Sequence, residues 1–190
     1  MNILTGFSHL DDIIEGLRPG ELTVIAGRPG IGKTTLCCFV ADNIARSGKK
    51  VYFTEIYEMA STDPETGEKY DVVFFSALYP AGKRQAADIY GKLKAFAVAE
   101  SIAVVVEAAA DKKAERPDTC RPALEHIKYS AAVKKFADNI LIVYREGYYD
   151  AAADKSVFEI ITAKSSLGRL GTAMLKIEIN DADCSRSKEK

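Results

Sequence analysis

The chain has 190 residues, 47% hydrophobic and 28% charged, with a formal net charge of −1. That length suits one globular domain whose core needs no staples, and the near-neutral charge gives no global support to strong nucleic-acid binding, leaving only a local patch. The four cysteines, Cys37, Cys38, Cys120 and Cys184, lack metal-ligand spacing, and no apolar run approaches the ~20 residues of a membrane span. The N-terminus reads as free of a signal peptide, so the expected setting is cytoplasmic, with reduced thiols.

Residues 1–20 precede the first strand. Ser8 is placed to cap a short helix carrying Leu10, Ile13 and Ile14 on one face, ended by Gly16 and Pro19-Gly20. His9 on this helix reads as solvent-facing or packed rather than as a ligand. Glu21 to Ala26 is a short apolar run typical of a buried parallel strand. Gly27-Arg28-Pro29-Gly30-Ile31-Gly32-Lys33-Thr34, followed by Thr35, has the spacing of a phosphate loop. A helix follows, with Leu36, Phe39, Val40 and Ile44 at helical spacing and Gly48 at its end.

Strand, glycine loop and helix are the setting this motif needs. Glycines let the backbone curl so that successive N–H groups face phosphate oxygens. The helix start adds its positive dipole end. Lys33 is expected to reach the β- and γ-phosphates, and the Thr34 hydroxyl to ligate Mg²⁺, which makes ATP with Mg²⁺ the expected ligand.

Val51 to Thr54 reads as a second strand, running into Glu55-Ile56-Tyr57-Glu58-Met59. Acids at this end of a parallel strand sit where ligands bind, so Glu58 is a candidate to orient a water against the γ-phosphate. The alternative is a solvated loop carboxylate. Residues 60–69 form a polar loop rich in breakers. A buried strand then runs from Asp71, and the place near its top where a phosphate-loop enzyme carries a metal-shell Asp is Ser76. Asp71 lies at the strand's foot, roughly 16 Å away at ~3.3 Å per residue, and does not substitute.

Residues 83–100 read as a helix with Ala87, Ile89, Tyr90, Leu93, Phe96 and Ala97 on its apolar face and Lys83, Arg84, Lys92 and Lys94 on a solvated one. Ile102 to Val106 is a buried strand ending in Glu107. If its tip lies beside the phosphate loop, Glu107 supplies the missing carboxylate. Residues 108–121 read as a charged surface loop, and a short helical stretch ends at Lys135. Asn139 to Tyr144 is a strand leading to Arg145 and Tyr149. Ser156 to Lys164 and Gly171 to Ile179 read as a hairpin.

Thr5-Gly6-Phe7 with Leu10-Asp11, then Gly16-Leu17 ahead of the phosphate loop, resembles the C-terminal motor domain of DnaB-type replicative helicases, which are RecA-like ATPases. Glu58-Met59 resembles that family's catalytic glutamate segment. Ala137-Asp138-Asn139 through Tyr144-Arg145, then Tyr148-Tyr149, resembles its late strand. Glu159 to Lys164 with Gly168 and Gly171-Thr172 resembles its terminal hairpin. The blocks keep the family's order over nearly the whole chain.

The resemblance implies an α/β fold with a mostly parallel central sheet flanked by helices and a C-terminal β-hairpin, one RecA-like domain over 1–180 and a polar tail over 181–190. It implies Lys33, Glu58 and Lys164 as catalytic residues, with Lys164 acting on a neighbouring subunit's nucleotide. The family's DNA-binding segment of Arg-Glu-Ser-Gly type would here be Lys128-Tyr129-Ser130-Ala131, a departure that leaves Lys128 as the DNA-binding candidate. The departures are Ser76 at the metal-associated Asp, Val106-Glu107-Ala108-Ala109 without the sensor glutamine, and Ser166 in place of the arginine of a Lys-x-Arg pair. The helical insert expected after the catalytic glutamate is replaced by a short loop, and the sequence is expected to correspond to the motor domain without the family's separate N-terminal domain. The expected function is an ATP-hydrolysing, helicase-like DNA replication motor, weakened in hydrolysis, forming a ring and binding single-stranded DNA. The alternatives are a non-hydrolysing nucleotide-binding module that assembles with itself or a full helicase, and a small phosphotransferase.

Overall fold

The computed structural model describes residues 1–55, 59–76, 78–111 and 121–177. Glu58, Cys120, Cys184, the tail over 181–190 and most of the 108–121 segment therefore lie outside the described residues. The elements in order are α1 (Ser8–Ile14), β1 (Leu22–Gly27), α2 (Lys33–Arg46), β2 (Val51–Thr54), β3 (Val72–Phe75), α3 (Lys83–Glu100), β4 (Ala103–Ala109), α4 (Ser130–Phe136), β5 (Asn139–Tyr144), α5 (Glu146–Tyr149), β6 (Val157–Lys164) and β7 (Gly171–Lys176).

One sheet runs β2-β3-β4-β1-β5-β6-β7. The first five strands in that order are parallel, and β6 and β7 join antiparallel as the expected hairpin. Parallel strands between helices are buried on both faces, so they read as unbroken apolar runs. Every residue of β1 and β5 is buried. Side chains alternate between faces. Ile25, Val105, Leu141 and Phe74 face α1 and α2, while Val24, Val104, Ile140 and Phe75 face α3 and α4.

The long helix matches its sequence span, with Ala86, Tyr90, Leu93 and Ala97 buried. Lys94 leaves the expected solvated face. Its ammonium donates to Gly20 O at 2.8 Å and to Asp138 Oδ2 at 2.7 Å. Asp138 Oδ2 also accepts the Leu22 N–H at 2.7 Å. This buttress joins α3 to the starts of β1 and β5, and half-burial makes it stronger than a surface pair.

At the N-terminus Phe7, not Ser8, caps α1, without a side-chain bond. Asp11 closes the turn instead, accepting from Thr5 N at 2.9 Å, Thr5 Oγ1 at 2.9 Å and Gly6 N at 3.2 Å. His9 is exposed. Among the described residues no helix is long and apolar enough to cross a membrane.

Leu93 is 0% and Val98 55% exposed on the same helix. Leu93→Ala is expected to lower unfolding free energy by about 2–5 kcal/mol through the cavity it leaves, and Val98→Ala to change it by less than about 0.5 kcal/mol. Urea unfolding monitored by circular dichroism checks the pair.

Candidate functional site

The phosphate loop joins the end of β1 to the start of α2. Gly30 and Gly32 take φ of +77° and +103°, a region that favours glycine. A Cβ on Gly32 would stand 2.8 Å from the Phe158 ring and 3.1 Å from Arg145 Nη1, so packing as well as backbone demands glycine there. Lys33 opens α2, is 7% exposed, and its ammonium donates to Arg28 O at 3.1 Å.

Ser76, at the place of the family's metal-associated Asp, directly follows the last residue of β3. β4 lies between β3 and β1, so Ser76 stands a strand farther out, about 4.8 Å. Its N–H donates to Thr54 O. The strand beside β1 is β4, in register Ile25↔Glu107. Strand alternation puts Glu107 on the face of Ile25 and Val105, which is the face covered by α2. The Thr34 hydroxyl donates to Glu107 Oε2 at 2.9 Å. Glu107 is not the end of this strand, as the sequence suggests; the strand continues through Ala109, which fixes the carboxylate on a rigid element. The foot-of-strand role of Asp71 holds, as its carboxylate takes the Lys50 N–H at 2.9 Å and Lys49 Nζ at 3.3 Å.

Glu107 is 1% exposed, and its Oε1 is a buried acceptor without a hydrogen-bond partner among the described residues. Thr34, which bonds the other oxygen, is exposed. A solvent-open hydroxyl beside a buried carboxylate with an unused oxygen fits a divalent cation that keeps much of its water shell. Burial raises the Glu107 carboxyl above its ordinary range, opposed by the Thr34 hydrogen bond and Lys33. Burial likewise holds the Lys33 ammonium below its ordinary range, opposed by Glu107. Their mutual attraction thus loses to desolvation at both ends. The Cys37 thiol, one turn on, is pushed well up by burial first and by Glu107 second, which keeps it protonated and inert.

Two residues contact the loop from outside without having been singled out as site residues. Arg145 Nη1 donates to Ile31 O at 3.4 Å, and its guanidinium lies 4.3 Å from the Phe158 ring. The Tyr148 hydroxyl donates to Pro29 O at 3.1 Å. Their signals in the sequence are the family-like Tyr144-Arg145 and Tyr148-Tyr149 block and their place after a buried strand, at the end where ligands bind.

The remaining predicted residues are scattered. Lys164 pairs with Ile140 near the start of β5, the opposite end of the sheet from the phosphate loop. Its ammonium donates to Lys134 O at 3.0 Å and also to Ala137 O, closing the end of α4. Ser166 N–H donates to Asn139 Oδ1 at 3.1 Å, and Ser166 Oγ accepts from Arg18 at 3.0 Å. Lys128 is exposed at the phosphate-loop end of β4, beside a small hollow it lines with Tyr79, Pro80 and Tyr129. Arg28 is buried, and Pro29 is exposed at the loop's outer edge.

The family model of the DnaB-like helicase C terminal domain matches residues 2–65 and 79–182. The unmatched stretch between them holds Ser76. Replicative DNA helicase DnaB of Haemophilus influenzae is 24% identical over 92% of this chain and 53% of that protein. The DnaB of Geobacillus stearothermophilus is 22% identical over 91% of this chain and 54% of its own length. The chain thus spans about half the length of these curated relatives. The DNA repair protein RadA of Mycolicibacterium smegmatis is 38% identical over 38% of this chain and 17% of that protein. Among solved structures, an ATPase domain superposes with a TM-score of 0.78 at 18% identity, covering 95% of this chain and 92% of that one. A DnaB-like replicative helicase, solved with its interactions with primase, gives 0.79 at 19% identity over 93% of this chain and 59% of that one. These likenesses show a RecA-like ATPase fold.

Because the folded carboxyl of Glu107 titrates above its unfolded value, folding takes up a proton there. That contribution is complete below the unfolded pKa and is lost as pH rises through the folded one. Glu107→Gln, an isostere without the charge, is therefore expected to raise Tm in metal-free buffer at pH 7–8, with about 2–4 °C for each kcal/mol at this chain size. The gain should vanish below pH about 4, where the parent carboxyl becomes protonated in both states. Differential scanning calorimetry of both proteins across that range checks it.

Proposed function

This chain belongs to the DnaB-like helicase C-terminal domain family, and from that premise we propose that it is an ATP-driven motor domain that binds MgATP and hydrolyses it slowly. The observation that carries the reading is the Thr34–Glu107 hydrogen bond at 2.9 Å, which brings a metal-type hydroxyl and a buried carboxylate together at the head of the phosphate loop. Residues Gly27 to Thr35 grip the triphosphate. Lys33 leaves the Arg28 carbonyl it now touches and takes the β- and γ-phosphates as partners. That exchange relieves its buried, underpartnered charge. Thr34 and Glu107 would hold Mg²⁺, which would supply charge neutralisation for the phosphoryl oxygens. Glu58 is assigned to orienting the attacking water from its place after the second strand and from the resemblance.

The same reading makes hydrolysis weak. An arginine finger is worth ~10³–10⁵ in rate. Ser166 stands where the family pair carries arginine, and it is tied to Asn139 and Arg18. Lys164, the surviving member, has its ammonium on the carbonyls that end α4. Those two contacts favour a second reading, a module that binds nucleotide without turnover and assembles with itself or with a full helicase. Glu107 argues for the motor, since it answers the loss at Ser76. Single-stranded DNA is the proposed partner, with Lys128 touching its phosphates, and a ring of like subunits in the cytoplasm the proposed assembly.

Turnover of ATP with and without single-stranded DNA separates the two readings. The motor reading expects slow, DNA-stimulated hydrolysis that Lys33→Ala lowers by about 10²–10³. Mg²⁺-dependent ATP binding with no turnover in either condition would establish the module instead.

A further inference from the structure

A phosphate loop must turn its amides toward the ligand, so the carbonyls of the same peptide units turn away from it and are open to other donors. In this chain three side chains supply them. Lys33 takes Arg28 O at 3.1 Å, Tyr148 takes Pro29 O at 3.1 Å, and Arg145 takes Ile31 O at 3.4 Å. Lys33 is the one donor that has to leave when a phosphate arrives. The other two approach from outside the loop and lose nothing on binding.

We propose that Tyr148 is a positioning residue of the nucleotide site, holding the Pro29–Gly30 turn of the loop in the shape that accepts phosphate. A Cβ added at Gly30 would meet its ring at 3.6 Å, so the ring flanks Gly30 while its hydroxyl holds the carbonyl of Pro29. The ring is itself held. It meets Tyr149 edge-on at 4.9 Å, and Tyr149 stacks on Tyr144 at 5.8 Å. Tyr144 is the buried last residue of β5. The brace therefore runs from the central sheet through three aromatic rings to the exposed side of the loop. The carbonyl it engages belongs to a proline, whose fixed φ leaves the turn one fewer way to adjust. Preorganisation of this kind stabilises the complex by lowering the ordering cost of the loop. It predicts an effect on the phosphate part of the ligand and none on the base.

This inference rests on the reading of residues 27–35 as a triphosphate site. Isothermal titration of the full chain with MgATP and with magnesium tripolyphosphate, for the parent, Tyr148→Phe and Tyr148→Ala, tests both. Tyr148→Phe keeps the ring and removes only the donor. It should weaken ATP and tripolyphosphate by the same factor, about 2–10-fold as expected of one net hydrogen bond, with Tm unchanged within a few degrees. Tyr148→Ala should weaken both further and again equally. Parent-like binding of both ligands by Tyr148→Phe overturns the proposal. So does a loss confined to ATP in Tyr148→Ala, which would make Tyr148 a platform for the base. A parent that binds neither ligand sinks the nucleotide reading itself, and the assigned role with it.

Discussion

The phosphate-loop end of this molecule depends on the register in which β4 pairs with β1. Ile25 stands opposite Glu107, and side-chain alternation then delivers Glu107 to the face that α2 covers. A slip of one residue would send the carboxylate to the α3 side and bring an apolar side chain to Thr34. The buried valines that precede Glu107 hold that register, because each has a face-specific place in one of two cores. The glycine loop gives the site its shape, and the β1–β4 register gives it its charge.

That charge is held at a cost. Glu107 and Lys33 are both buried enough that desolvation outweighs their attraction. One oxygen of Glu107 has no described donor, and Lys33 makes do with a backbone carbonyl of its own loop. Two buried ionisable groups side by side at a phosphate loop are the arrangement on which the proposal of a charged ligand rests. The stability this removes is replaced elsewhere, in the two-sided core of the parallel strands and in the Lys94–Asp138 buttress at the opposite end of the sheet.

The two ends of the sheet divide the work. Phosphate loop, Glu107, Tyr148 and Lys128 gather at the carboxyl ends of the parallel strands, where such sheets bind ligands. At the other end Lys164, Ser166, Asn139 and Arg18 are knitted into hydrogen bonds that close the hairpin against the starts of β1 and β5. A residue placed there serves this chain's own fold first. Any service to a neighbour has to compete with those contacts, and that competition is the physical ground on which slow turnover is proposed.

Local chemistry made much of this legible in one dimension. The phosphate loop declares itself because its glycine spacing is a backbone requirement, and the apolar runs of β1 and β5 declare burial on both faces. The span of α3 and the hairpin of β6 and β7 follow from periodicity and from turn residues near Gly168. The sequence also determined which residue types were missing, such as an arginine at Ser166. Strand order lies beyond such reasoning, since it is set by contacts between segments dozens of residues apart. Only the tertiary structure decided that β4 and not β3 lies against β1. That single fact puts the carboxylate of Glu107, rather than the side chain at Ser76, against the Thr34 hydroxyl. It likewise decided that Lys94 braces the core, that Lys164 ends a helix and that Tyr148 reaches the carbonyl of Pro29. Each is a long-range hydrogen bond, and no local pattern encodes its partner.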